Sequence, residues 1–127
     1  MRRLKPSEHQ EQAAVISFWR LACKGYGLPE CSLFAIPNGA HLAGDSRLRA
    51  IKMANLKKAG LRVGIPDLFL AVPKHVFPGL FIEIKVEPNK PSAEQAKVIA
   101  NLRGASYTVR VCYSADEAIQ AIKNYLK

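Results

Sequence analysis

Acidic residues are scarce in this chain: ten Asp and Glu stand against nineteen Lys and Arg, a formal charge of +9 over 127 residues. Such a surplus on a small domain favours a polyanionic partner, through phosphate contacts and counterion release. A cationic surface can also serve solubility alone, so the distribution matters. Between Arg47 and Arg62 lie Arg47, Arg49, Lys52, Lys57, Lys58 and Arg62, with no acid among them. That clustering favours nucleic acid over mere solubility. Cysteine is also sparse. Cys23, Cys31 and Cys112 form no CxxC pair, and His9, His41 and His75 are equally scattered. A structural zinc site normally has a closely spaced ligand pair, so buried or idle thiols in a reducing compartment are expected. No apolar run approaches the ~20 residues that span a bilayer. The basic start, Met1-Arg-Arg-Leu-Lys-Pro, leads into Ser7-Glu-His-Gln-Glu-Gln rather than an apolar signal core, so a cytoplasmic location is expected. Phosphate-binding and dinucleotide glycine fingerprints are absent, which argues against an enzyme of small phosphorylated compounds.

About half of the residues are hydrophobic, enough to build a core, and the length suits one domain over residues 1–127. Ser7 to about Lys24 reads as a helix opened by a Ser7/Gln10 capping box. Its inward stripe is Val15, Ile16, Trp19, Ala22 and Cys23. Trp19 belongs to that stripe as core rather than as a base-stacking platform. Ser32 to Ile36 reads as a short strand closed by the turn Pro37-Asn38-Gly39, and a second helix runs from Asp45 or Ser46 to Ala59 before Gly60. Asp67–Val72 and Leu80–Val86 are strands joined closely enough to form an antiparallel hairpin. Ser92/Gln95 caps a helix ending near Gly104, Ser106–Cys112 is a strand, and Ser114 opens a last helix. Ala118, Ile119, Ile122, Tyr125 and Leu126 face inward on that helix. The order α-β-α-β-β-α-β-α predicts an α/β fold with a mixed sheet flanked by helices.

The chemistry concentrates in Gly64-Ile-Pro-Asp67, then fifteen residues, then Glu83-Ile-Lys85. Alternation along a strand puts Glu83 and Lys85 on one face, roughly 6–7 Å apart, and a hairpin can bring Asp67 beside them. Two close carboxylates repel unless a positive charge sits between them. Mg²⁺ suits that place, because it accepts one or two carboxylates and keeps several waters. A bare E-x-K is common by chance, and the same residues can form a solvent-facing row on an edge strand. The apolar strands, the upstream G-x-P-D and the basic chain favour a phosphodiester-hydrolysing centre.

Gly64-Ile-Pro-Asp67-Leu-Phe-Leu followed by Gly79-Leu-Phe-Ile-Glu83-Ile-Lys85 resembles the virus-type replication-repair nuclease (VRR-NUC) domain, a branch of the PD-(D/E)xK nucleases. The likeness extends to Glu8–Gln12, Ile36-Pro-Asn38-Gly39, Ser92-Ala-Glu-Gln95 and the closing strand and helix, nearly the whole chain. Stand-alone members of this kind occur in phages and bacteria and are similar to Holliday-junction resolvases. The resemblance implies a restriction-endonuclease-like fold and a homodimer that cuts branched DNA with Mg²⁺ or Mn²⁺. It makes Asp67 and Glu83 metal ligands, with the Ile84 carbonyl as a further one, and Lys85 the catalytic lysine. It also expects a glutamate on the first helix, where Glu8 and Glu11 compete. At about 100° per residue Glu8 falls on the centre line of the Val15–Ile16–Trp19 stripe and Glu11 at its margin, which favours Glu8. The alternative for Glu8 is a first-turn acid favoured by the helix dipole, but such an acid would not need the inward face. Gln95 matches a family position and also completes a capping box by itself. Asn38 matches too, but Asn-Gly after a strand is an ordinary turn. The basic residues from Arg47 to Arg62, with Lys90 after the active strand, are the expected phosphate contacts, and a non-catalytic DNA-binding module is the alternative function.

Overall fold

The structure, a computed structural model, describes residues 4–38 and 42–127. Met1–Arg3, Gly39 of the expected Pro37–Gly39 turn, and His41 lie outside the described residues.

Helix α1 spans Glu8–Ala22, and its opening is set locally: the Ser7 hydroxyl accepts the Gln10 N–H while the Gln10 side chain accepts the Ser7 N–H. A single 3₁₀ turn, Cys23–Tyr26, ends it against Gly27 in the left-handed region, and another, Glu30–Ser32, leads into strand β1, Leu33–Ala35. Helix α2 is Ser46–Lys58, capped by Asp45. Strands β2, Leu68–Leu70, and β3, Leu80–Ile84, form the expected antiparallel hairpin. Helix α3, Ala93–Gly104, crosses to strand β4, Thr108–Cys112, and α4, Ala115–Tyr125, closes the fold.

The four strands lie in the order β1-β2-β3-β4, antiparallel except for the parallel β3–β4 pair that the α3 crossover requires. Each strand is shorter than its sequence pattern, for a geometric reason. Ladder bonds continue past the strand ends, as from Ile36 N–H to the Asp67 carbonyl (2.8 Å) and from Lys85 N–H to the Cys112 carbonyl (2.9 Å), while the flanking residues already bend away. One face of the sheet carries Leu68, Leu70, Leu80, Ile82 and Ile84. These side chains are fully buried against Val15 and Trp19 of α1 and Ala118 and Ile122 of α4. Each such side chain contributes about 1.5–3 kcal/mol by leaving water. Trp19 belongs to this core, and its indole N–H donates to the Glu30 carbonyl at 2.9 Å, so its one polar atom is satisfied.

The opposite face carries Phe69, Phe81 and Glu83 and is covered in part by α3, through Val98 and Ile99. Helix α2 differs from the others. None of its residues is buried, and Leu48, Ile51 and Leu56 remain exposed on it. Among the described residues no helix is long and apolar enough to cross a membrane. The cysteines are unpaired, with Cys23 and Cys112 buried and Cys31 exposed. Burial pushes the Cys112 thiol up to about 11, so it stays protonated.

Candidate metal and cleavage centre

The β2–β3 register places the site. Leu68 faces Ile82 and Phe69 faces Phe81 across the ladder. One step further, Asp67 stands opposite Glu83 on the face that Phe69 and Phe81 share. Asp67 is fixed by a hydrogen bond from the Ile84 N–H to its Oδ2 at 2.7 Å. Glu83 is 2% exposed and, among the described residues, one of the few charged or polar ones that are buried. Its Oε1 accepts the Gln95 Nε2 amide from α3 at 3.2 Å and lies 3.8 Å from the Lys85 ammonium. Its Oε2 is buried with no donor among the described residues.

That set of contacts is under-neutralised. Burial raises the Asp67 carboxyl above its ordinary value, although the Ile84 N–H opposes the rise. Burial and then the neighbouring Asp67 charge push Glu83 up to about 8, against the pull of Lys85. The two carboxyl groups are close enough to hold one proton between them, and the negative charge of Glu8 raises both further. A buried carboxylate oxygen without a donor is costly unless a cation or proton meets it. A divalent ion fits this place on donor chemistry: two carboxylates, one of them with an orphaned oxygen, suit a hard cation that holds one or two carboxylates. Among the described residues no group of three or more His, Cys, Asp or Glu side chains is placed to hold a metal ion.

The expected residues fall into place unequally. Asp67, Glu83, Lys85 and Gln95 converge, and Glu8 stands near enough for its charge to act on the acidic pair. Gln95 uses both ends of its amide: the oxygen accepts the Ser92 N–H at 2.8 Å in the capping box, and the nitrogen reaches Glu83. Glu11 turns elsewhere, accepting the backbone N–H of Ala115 at the start of α4. Sequence alone offers Glu11 no such partner. A helix start needs acceptors for its first amides, but which acid meets it depends on how α1 packs against α4.

Of the basic residues, Arg47, Arg49, Lys57, Lys58 and Arg62 are exposed on or just beyond α2, and Lys90 is exposed in the loop after β3. Lys52 is partly covered and donates to the Ala43 carbonyl at 2.9 Å, which ties the entry loop to α2. Gly64, at φ +95, lets the chain pass the first turn of α3, where a side chain would meet the Glu94 backbone within 3.2 Å. The G-x-P-D segment is thereby held beside the helix that carries Gln95.

The VRR-NUC domain family matches residues 8–116 of the chain. A solved structure described as a VRR_NUC domain protein superposes with a TM-score of 0.79 at 23% identity, covering 97% of this chain and 90% of the other. No curated protein matches. Four helices around a four-stranded mixed sheet make the fold restriction-endonuclease-like. The chain belongs to the VRR-NUC family of the nuclease superfamily.

Proposed function

We propose that the chain is a divalent-metal-dependent endonuclease that hydrolyses phosphodiester bonds in branched DNA such as four-way junctions. The observation that carries this reading is the pair Asp67 and Glu83, directly opposed on one sheet face, with a donorless Glu83 oxygen and the Lys85 ammonium beside them. Asp67, Glu83 and the Ile84 carbonyl would hold Mg²⁺ or Mn²⁺, and Glu8 would act from α1 on water around the ion. A divalent ion bound there supplies polarisation of the phosphodiester and eases deprotonation of the attacking water.

The chain's own residues supply the rest. Lys85 orients the water and offsets charge that develops on the phosphorane oxygens. Gln95 donates to the Glu83 Oε1 and so leaves Oε2 as the oxygen that would meet a bound ion. The Ile84 N–H does the same for Asp67. A phosphate-binding module without turnover gains nothing from a buried carboxylate pair, which repels its ligand; cleavage explains the pair and binding alone does not. The exposed basic residues Arg47, Arg49, Lys57, Lys58, Arg62 and Lys90, together with Lys52, provide the phosphate contacts of the DNA flanks.

Residues 1–127 act as one nuclease domain in the cytoplasm, and two copies pair so that two centres meet the symmetric strands of a junction. The test is a cleavage panel of junctions, flaps and linear duplexes with Mg²⁺ or Mn²⁺, beside Asp67→Ala and Glu83→Ala proteins. Metal-dependent cutting that both variants abolish, strongest on branched DNA, is the expected result. Cutting retained by both folded variants overturns the assignment of the centre, and binding without turnover on every DNA overturns the enzyme reading.

A further inference from the structure

A cavity of about 470 Å³ lies away from the acidic pair. It opens at the end of the sheet where β3 and β4 begin, since Thr108 pairs with Leu80 while Glu83 lies three residues further along β3, roughly 10 Å by strand rise. Four elements meet around it: the β2–β3 connection gives His75, the end of α3 gives Arg103, β4 and its entry give Tyr107, Thr108 and Arg110, and α4 gives Asn124.

Among the described residues no acid lines this cavity, and several of its polar groups carry donor capacity that the fold leaves unused. The Thr108 Oγ1 is buried with no partner among the described residues. Arg103 is steadied by one bond, from Nη2 to the Val109 carbonyl at 2.8 Å, which leaves the rest of its fork to donate. Asn124 receives the Gln120 amide on its Oδ1 at 3.0 Å, so its own amide N–H groups are the remaining function. Arg110 projects from the edge strand with its side chain exposed. The exposed Phe77 ring borders the same space. The Tyr125 hydroxyl closes the wall by donating to the Val72 carbonyl at 2.6 Å and is not part of the donor set.

We propose that this cavity binds the phosphate of a nucleotide. Two guanidinium groups, a hydroxyl and an amide, with no carboxylate to compete, match the oxygens of a phosphate. The volume exceeds what phosphate needs and accommodates a mononucleotide, and Phe77 offers a face on which a base can stack. The nucleotide is either free or part of a DNA chain that passes this end of the sheet. In the second case the cavity is an anchor separate from the cleavage centre. The proposal does not depend on cleavage, because none of its residues belongs to the acidic pair.

The experiment follows backbone amide shifts in metal-free wild-type protein with EDTA, titrated separately with inorganic phosphate, deoxyadenosine monophosphate and a short single-stranded DNA. Arg110→Ala and Thr108→Val proteins are run alongside. The expected result is a saturable shift of Tyr107, Thr108, Arg110 and Asn124, with affinity about tenfold weaker in Arg110→Ala and several-fold weaker in Thr108→Val. Saturation by the mononucleotide identifies a free ligand, and saturation by DNA alone identifies a chain phosphate; either supports the site. Shifts confined to α2 and the Asp67–Lys85 region, or equal affinity in Arg110→Ala, overturn it. Loss of cleavage with this binding intact would count against the nuclease reading alone.

Discussion

The Glu11 carboxylate of α1 accepts the backbone N–H of Ala115, the first residue of α4. It therefore joins two helices through residues 104 apart in sequence and satisfies an amide that α4 cannot satisfy itself. Glu8, one turn earlier, has the acidic pair as its electrostatic neighbour. The two acids should separate cleanly by mutation. Glu11→Ala is expected to lower stability by roughly 1–2 kcal/mol while activity per folded molecule persists. Glu8→Ala is expected to reduce cleavage and metal affinity with little change in thermal unfolding. Thermal melts and metal titrations of the two variants check this, and the opposite pattern would assign the roles the other way.

Glu83 makes the metal-free protein sensitive to pH. Its carboxyl titrates near 8 in the fold and near 4.5 when ordinary, so the folded chain retains a proton that the unfolded chain releases. Stability therefore falls as pH rises between those values. Glu83→Gln is expected to match the wild type at pH 4 and to exceed it at pH 8 by on the order of 1–3 kcal/mol. Denaturant unfolding in EDTA at both pH values measures the difference. Divalent-ion affinity should run the other way, rising by up to about tenfold per pH unit toward 8 as the shared proton is displaced.

Lys85 lies 3.8 Å from Glu83 and is almost covered. Lys85→Ala is expected to cost about 10²–10⁴ in the cleavage rate while DNA affinity changes only a few-fold. Single-turnover rates and binding isotherms on the same DNA separate the two quantities.

Gln95 offers a test of its divided amide. Gln95→Glu keeps an acceptor for the Ser92 N–H and hence the capping box, but it replaces the donor to Glu83 with a like charge. It is expected to hold the thermal stability of the wild type yet lose about 10–100-fold in activity near neutral pH. Gln95→Ala should lose both stability and activity, and wild-type activity in Gln95→Glu would show that the amide nitrogen does not matter.

Helix α2 has no buried residue, so its charges can be removed without disturbing the core. Replacing Arg47, Arg49, Lys57 and Lys58 by Gln is expected to weaken DNA binding at low salt. The slope of log affinity against log salt should shrink by about 0.9 for each phosphate that the variant no longer neutralises. An unchanged slope would place the DNA path on another surface.

The local parts of the fold are legible in the sequence because their causes are local. The capping boxes at Ser7/Gln10 and Ser92/Gln95 and the Asp45 and Ser114 caps need only neighbouring residues. The stripe through Val15 and Trp19 and the alternation along Leu80–Ile84 mark buried faces by period alone. Strand ends are harder to read, since ladder bonds outlast regular geometry at Ile36 and Lys85. Bonds between distant segments are not legible: Glu11 to Ala115, Tyr125 to the Val72 carbonyl, and the cavity around Thr108 arise only when helices and strands far apart in sequence meet. The acidic pair is readable because a hairpin links its two halves, whereas the burial that raises Glu83 comes from α3 and the neighbouring strands.

The ladder that sets Leu68 against Ile82 also decides which side of the sheet Asp67 meets. A slip of one residue between β2 and β3 would send that acid through to the greasy underside beneath α1 and α4 and leave Glu83 alone. The length of the connector between Val72 and Leu80 is therefore under chemical as well as architectural constraint. Adding or deleting a single residue within either strand should cost both activity and stability, because the buried set moves with the acid, whereas substitutions at the tip around Val76, 81% exposed, should be tolerated.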